Sequence, residues 1–172
     1  MPTIAKLRRL FREYPNQFWL LLTATFIDGL GGALLFPFFT LYLTARFDIG
    51  MTTVGLIFGV FSISAITGSF IGGALSDRIG RKRMIIFGLI ASATITLLMG
   101  FADDIRLFFL AAVFVGLLAN VGDPARQAMI ADLLPPAQRA DGYGLMRVVM
   151  NLAVTIGPAI GGFMASRSYL AL

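Results

Sequence analysis

Five stretches of this sequence, 29–45, 51–76, 84–102, 107–122 and 148–166, contain no Asp, Glu, Lys or Arg. A bilayer-crossing helix needs roughly 20 mostly apolar residues, and each stretch reaches or nears that length once its flanks are added. None alternates at period two, as the strands of a membrane barrel do. The expected fold class is an all-α polytopic membrane protein with spans at 17–43, 51–76, 84–102, 107–134 and 142–166. Composition agrees: 13% of the residues are charged, against about 25% in an ordinary soluble domain.

Missing residue types narrow the chemistry. The sequence has no Cys and no His. Disulfides and thiolate sites are excluded, and the commonest general base and metal ligand is gone. No metal site and no cofactor is expected. The formal charge is +5, but the bases fall in the loops that flank the spans. That distribution sets membrane topology and points to a lipid bilayer, not to nucleic acid, as the partner.

Residues 1–15 space Ile4, Leu7, Phe11 and Tyr14 at helical intervals among Lys6, Arg8, Arg9 and Arg12. They are expected to form a cytoplasmic amphipathic segment ended by Pro15. A signal peptide fits poorly, because the apolar run that follows is too long and four more spans come after it. Arg78, Arg81, Lys82 and Arg83 crowd the loop after the second span, whereas the two loops expected on the other side hold Arg46 and Arg106 beside acids. By the positive-inside rule the amino terminus and the 77–83 loop are cytoplasmic, in a multi-pass protein of the cell (inner) membrane. Five spans then leave the carboxyl end outside, where SRSYLAL reads as the start of another helix.

The loop GGALSDRIGRKR contains one acid and four bases punctuated by glycines. A short turn needs Gly80 where the backbone reverses, while Gly72 and Gly73 allow close approach of a neighbouring helix. Asp77 at a helix end needs a basic partner, and Arg81 lies within reach. Read as Gly73-x-Leu75-Ser76-Asp77-Arg78-x-Gly80-Arg81-Lys82, the loop resembles the signature between helices two and three of the major facilitator superfamily. In the fifth span, Gly144, Ala153, Gly157, Pro158, Gly161 and Gly162 resemble the motif of the exporter branches, with Ala153 in place of a glycine. Ala153, Gly157 and Gly161 recur every fourth residue and make a flat face for helix packing, and Pro158 is expected to bend the helix.

This resemblance implies the first five helices of a six-helix half, with 16–172 a partial amino-terminal transmembrane domain. It implies as well that a sixth helix and a carboxyl-terminal half are missing partners. The activity implied is secondary export of small amphipathic or cationic compounds, by alternating access in exchange for protons. Within the family, Asp77 and Arg81 would join Asp132 in a charge latch that stabilises one conformation. One family feature is absent: the arginine deep in helix four falls at Ala111 or Ala112, and the nearest bases are Arg106 and Arg126.

Candidate substrate and coupling residues follow from the cost of ions in a bilayer, about 2.5–3.5 kcal/mol each at mid-depth on insertion scales. Asp28 lies near the middle of the first span, among Gly29, Gly31, Gly32 and Pro37, where the helix is expected to bend. It is either a cavity carboxylate that takes a cation or proton, with Arg147 as a possible counter-charge, or a structural acid paired with another helix. In the fourth span Asn120, Asp123 and Gln127 share a face, Pro124 should free the carbonyl of Asn120, and Arg126 can pair with Asp123. A solvated helix end explains this cluster as well as a transport site does. Arg147, Asn151 and Thr155 form a polar stripe on a different face of the fifth span from its small residues.

Enzymatic alternatives fail on the residues. Rhomboid-type proteolysis needs a His base. Phospholipid-synthesising phosphotransferases need Asp-Gly-x-x-Ala-Arg, which neither Asp28-Gly29 nor Asp123-Pro124-Ala125-Arg126 supplies. Export of a metabolite or sugar, or a non-transporting membrane scaffold, stand as alternatives to drug export.

Overall fold

The computed structural model of the chain describes residues 13–165. The amphipathic segment expected at the amino terminus and the helix start expected at SRSYLAL lie outside the described residues, apart from Glu13, Tyr14 and Pro15. Six α-helices follow: α1 (Asn16–Phe47), α2 (Met51–Ile79), α3 (Arg81–Gly100), α4 (Ile105–Ala119), α5 (Asp123–Leu133) and α6 (Pro136–Ala165). A 3₁₀ turn, Asn120–Gly122, joins α4 to α5, and the three together make one span. The described residues thus contain five helical spans long and apolar enough to cross a membrane. The protein is an all-α polytopic membrane protein.

Local chemistry sets the ends of these helices. Asp48, in the left-handed region at φ 50°, stops α1. Gly80 stops α2 at φ 100°, a conformation that a side chain would strain, and its N–H bonds to Ser76 O at 3.0 Å. Because α3 begins at the next residue, the reversal takes a single glycine. Asp104 caps α4 by accepting a hydrogen bond from the Arg106 N–H at 2.8 Å. Four boundaries differ from the hydropathy pattern by three residues or more, the first being the end of α1 at Phe47 instead of 43. α2 continues to Ile79 and α3 starts at Arg81, both within the charged loop, and α6 starts at Pro136 instead of 142. Pro is favoured in a first helical turn, where its missing N–H has no partner to lose. The apolar run marks only the part of α6 that can sit in lipid. α1 and α6 continue as helices through Pro37 and Pro158.

Two helix pairs form the frame, α1 with α6 and α2 with α4. Both depend on glycine. A Cβ on Gly68 would collide with the Leu117 carbonyl, and one on Gly72 with the Val121 carbonyl. From the other side, a Cβ on Gly116 would lie 2.6 Å from Phe61 O. Gly157 abuts Ala33, and a Cβ on Gly161 would come within 2.5 Å of Leu34 O. Backbones this close gain dispersion contacts that lipid cannot match, which is how helices associate where no hydrophobic drive exists. α3 packs along α4 and the 3₁₀ turn.

Apolar side chains fill the two ends of the bundle. Phe18, Leu21, Met84, Ile85, Ala125, Ile130 and Leu134 pack at the end bearing the Gly80 turn, hereafter the basic end. Leu43, Val54, Ile57, Met99 and Phe108 pack at the opposite end. The outer faces are apolar too: Phe70 is 85% exposed and Ile66 71%. In water such a surface would aggregate, whereas in a bilayer it is the solvated surface.

Candidate functional site

Asp28 lies about 18 Å along α1 from Asn16, at 1.5 Å per residue, well inside the apolar length. Its partner comes from the fourth span. Arg126 Nη2 stands 2.7 Å from Asp28 Oδ2, and Nη1 of the same guanidinium stands 3.2 Å from Asp123 Oδ1. One arm of the fork is given to each carboxylate, so a single cation serves two acids and the triad carries a net charge of −1 when all three are ionised. The arginine side chain is 12% exposed, Asp28 32% and Asp123 50%. The arginine is the buried centre, and Asp123 is the carboxylate most open to a ligand.

The sequence places this arginine through the winding of its own span. Pro124 has no N–H for the carbonyl of Asn120. The structure differs here from expectation: that carbonyl is not left free, because the chain tightens into the 3₁₀ turn and Asp123 N–H bonds to it. The Asn120 side chain turns back to donate to Gly116 O at 2.8 Å, and so it does not join the triad. Arg147, expected as the counter-charge of Asp28, is not its partner. That place is taken by Arg126, which sequence reasoning had assigned only to the nearby Asp123. No local signal tied Arg126 to Asp28, which lies 98 residues earlier in the chain.

α6 packs on both helices that carry the triad. Tyr143 Oη donates to Gln127 O at 3.1 Å, and Arg139 Nε donates to Leu134 O at 3.2 Å, fixing α6 against the fourth span. Arg147 and Asn151 are exposed, and the Thr155 hydroxyl donates to Asn151 O at 2.7 Å. On the opposite face, Ala153 is fully buried against α1, with a Cβ on Gly29 falling 3.4 Å from its own. The small-residue face therefore packs and the polar stripe stays open. Gly157, Gly161 and Gly162 lie on α1, Gly162 near Phe38, but Gly144 has nothing within 4 Å of an added Cβ.

At the basic end Arg81 is the hub. It donates to Ala128 O at 2.7 Å, pairs with Asp132, and has Asp77 at 3.9 Å. Asp77, Arg81 and Asp132, expected to form a latch, are brought together across α2, α3 and α5. Arg78 and Lys82 are exposed, and Gly73 makes only ordinary contact with Pro124, 3.7 Å from an added Cβ. At the far end Arg46 Nη2 meets Asp103 Oδ1 at 2.5 Å, tying α1 to the α3–α4 connection.

The family model of the Major Facilitator Superfamily matches residues 21–170. The chain belongs to the major facilitator superfamily. Among curated proteins it is 32% identical over 156 residues to the Quinolone resistance protein NorA of Staphylococcus aureus (strain Mu50 / ATCC 700699), covering 90% of this chain and 39% of that protein. It is likewise 32% identical over 133 residues to the Na(+), Li(+), K(+)/H(+) antiporter of Planococcus maritimus, covering 74% of this chain and 31% of that one. The chain thus spans well under half the length of the relatives it matches. The two motifs on the Gly80 turn and on α6, from which the resemblance was read, lie within the matched residues.

Proposed function

We propose that this chain is the amino-terminal part of a secondary exporter that moves small cationic or amphipathic compounds in exchange for protons. The observation that carries the proposal is the Asp28–Arg126–Asp123 triad. Two acids that share one arginine hold a site of net charge −1 at membrane depth, which a proton or an organic cation can neutralise but both cannot at once. Mutual exclusion at one site is the linkage an antiporter requires. The relatives named for quinolone resistance and for cation/proton antiport support that class. The remainder of the transporter would complete the cavity, with alternating access between the halves. The Arg81–Asp132–Asp77 cluster would hold one of the two states.

In this scheme the basic end faces the cytoplasm. The sequence has no cysteine, so single cysteines at Ile79 and Ile49 report the sides directly. An impermeant maleimide added outside cells should label the Ile49 position and spare the Ile79 position. Labelling of Ile79 from outside would reverse the topology.

The coupling test uses the complete transporter in proteoliposomes with an imposed proton gradient and ethidium as the cation. Asp28→Asn should reduce uphill ethidium transport at least tenfold, with neutral compounds affected less. Protein of normal abundance that still pumps ethidium with the wild-type pH dependence would make Asp28 structural. A second substrate class, monovalent metal cations, is favoured by the Planococcus maritimus relative. Proton release driven by added Na⁺ in the same vesicles distinguishes it.

A further inference from the structure

α6 carries an ion that the triad does not use. Arg147 lies about 16 Å along α6 from Pro136 and is exposed; because Gly29 meets Ala153, it stands about one and a half helical turns nearer the basic end than Asp28. Among the described residues no carboxylate or carbonyl partners its guanidinium, although Asp28, Asp123 and Arg126 have all found partners nearby. The Tyr143–Gln127 hydrogen bond sets the register of the two antiparallel segments. One turn outward from Tyr143 is Arg147, and one turn outward from Gln127 is Asp123. The open cation and the open carboxylate therefore sit at one level on neighbouring helices, which lie about 8–10 Å apart when packed. Asn151, exposed one turn farther along α6, adds an amide donor on the same stripe as Arg147.

We propose that Arg147 is the anion-binding half of the substrate site, so that the site takes zwitterionic compounds, the carboxylate on Arg147 and Asn151 and the cationic end at Asp123. This rests on the exporter function proposed above and adds the substrate class. A charge at this depth without a partner is expensive, and a substrate carboxylate that arrives with its own cation satisfies Arg147 and the surplus negative charge of the triad together. A guanidinium with an amide one turn away offers a carboxylate donors that a purely cationic substrate leaves unused.

Tetramethylrhodamine and its methyl ester form the probe pair. The acid is a zwitterion, and the ester is a cation of the same shape. Their affinities for the purified complete transporter are measured by fluorescence anisotropy at neutral pH. Arg147→Gln should lower the ratio of zwitterion affinity to ester affinity about tenfold, and Arg147→Lys should restore most of that ratio. Asn151→Asp, which sets a negative charge beside the arginine, should move the ratio in the same direction as Arg147→Gln and decides the matter if that variant does not fold. An unchanged ratio in these variants overturns the assignment, as it would if an acid elsewhere in the transporter neutralised Arg147. So does a wild-type protein that exports the ester yet fails to bind the zwitterion, an outcome that leaves the exporter function standing.

Discussion

Replacing Arg126 with leucine is expected to remove proton-coupled export and to lower the protein's stability by about 3 kcal/mol. Its guanidinium holds Asp28 at 2.7 Å and Asp123 at 3.2 Å. Without it two carboxylates face each other at membrane depth with no cation between them. Removing one partner of a buried ion pair costs about 3–5 kcal/mol. Asp123 is half exposed, so solvent shields its share and the lower end of that range applies. About 3 kcal/mol is a loss of roughly a hundredfold in the ratio of folded to unfolded protein. Thermal unfolding of the purified complete transporter measures it. Adding Asp28→Asn and Asp123→Asn to the leucine variant should recover the melting temperature, since the stranded charges are gone, but not the export. Unchanged melting of Arg126→Leu would reduce the triad to a solvated surface contact.

Valine at Gly72 is expected to be as damaging for a different reason. A Cβ there overlaps the Val121 carbonyl, and both partners are backbone, so no side-chain rotation relieves the clash. α2 and the fourth span would have to part, which also opens the Gly68 and Gly116 contacts beside it. Overpacking usually costs about 1–3 kcal/mol, and a clash between two helical backbones belongs at or above the top of that range. Gly59 is the matched control. It lies in the same helix with nothing within 4 Å of an added Cβ, and Ala there should gain about 0.5–1 kcal/mol from helix propensity. Opposite signs at two glycines of one helix would separate the cost of packing from the gain in helix propensity. Wild-type abundance and melting in Gly72→Val would show that the helices do not approach so closely.

The apolar runs fixed the number of spans because a bilayer imposes its thickness on any sequence that crosses it. They could not fix where helices end in water, as the early start of α6 at Pro136 and the single-glycine reversal at Gly80 illustrate. The meeting of Asp77, Arg81 and Asp132 was legible only through likeness to a family, because nothing local connects Asp132 to a loop fifty residues earlier. The packing face of Ala153, Gly157 and Gly161 was legible from spacing, since a four-residue repeat of small side chains has one plain use in a membrane. Which helix it packs on was not. The contact between Asp28 and Arg126 lay beyond sequence reasoning for the same cause: adjacency of α1 and α5 is a property of the bundle, and the nearer acid, Asp123, already offered the arginine a partner.

The 3₁₀ turn at Asn120–Gly122 has a consequence for every side chain that follows it in the span. A 3₁₀ residue advances about 120° around the axis, whereas an α-helical residue advances about 100°. Three such residues turn α5 by about 60° from the position an unbroken helix would give it. A helical wheel drawn through residues 105–133 at constant pitch therefore assigns Asp123 and Arg126 to the wrong sector, a sixth of a revolution from where they stand. The direction in which this span presents its arginine is set by three residues of tighter winding next to a proline, so Pro124 acts on the ion pair as a setting of angle, without touching either charge.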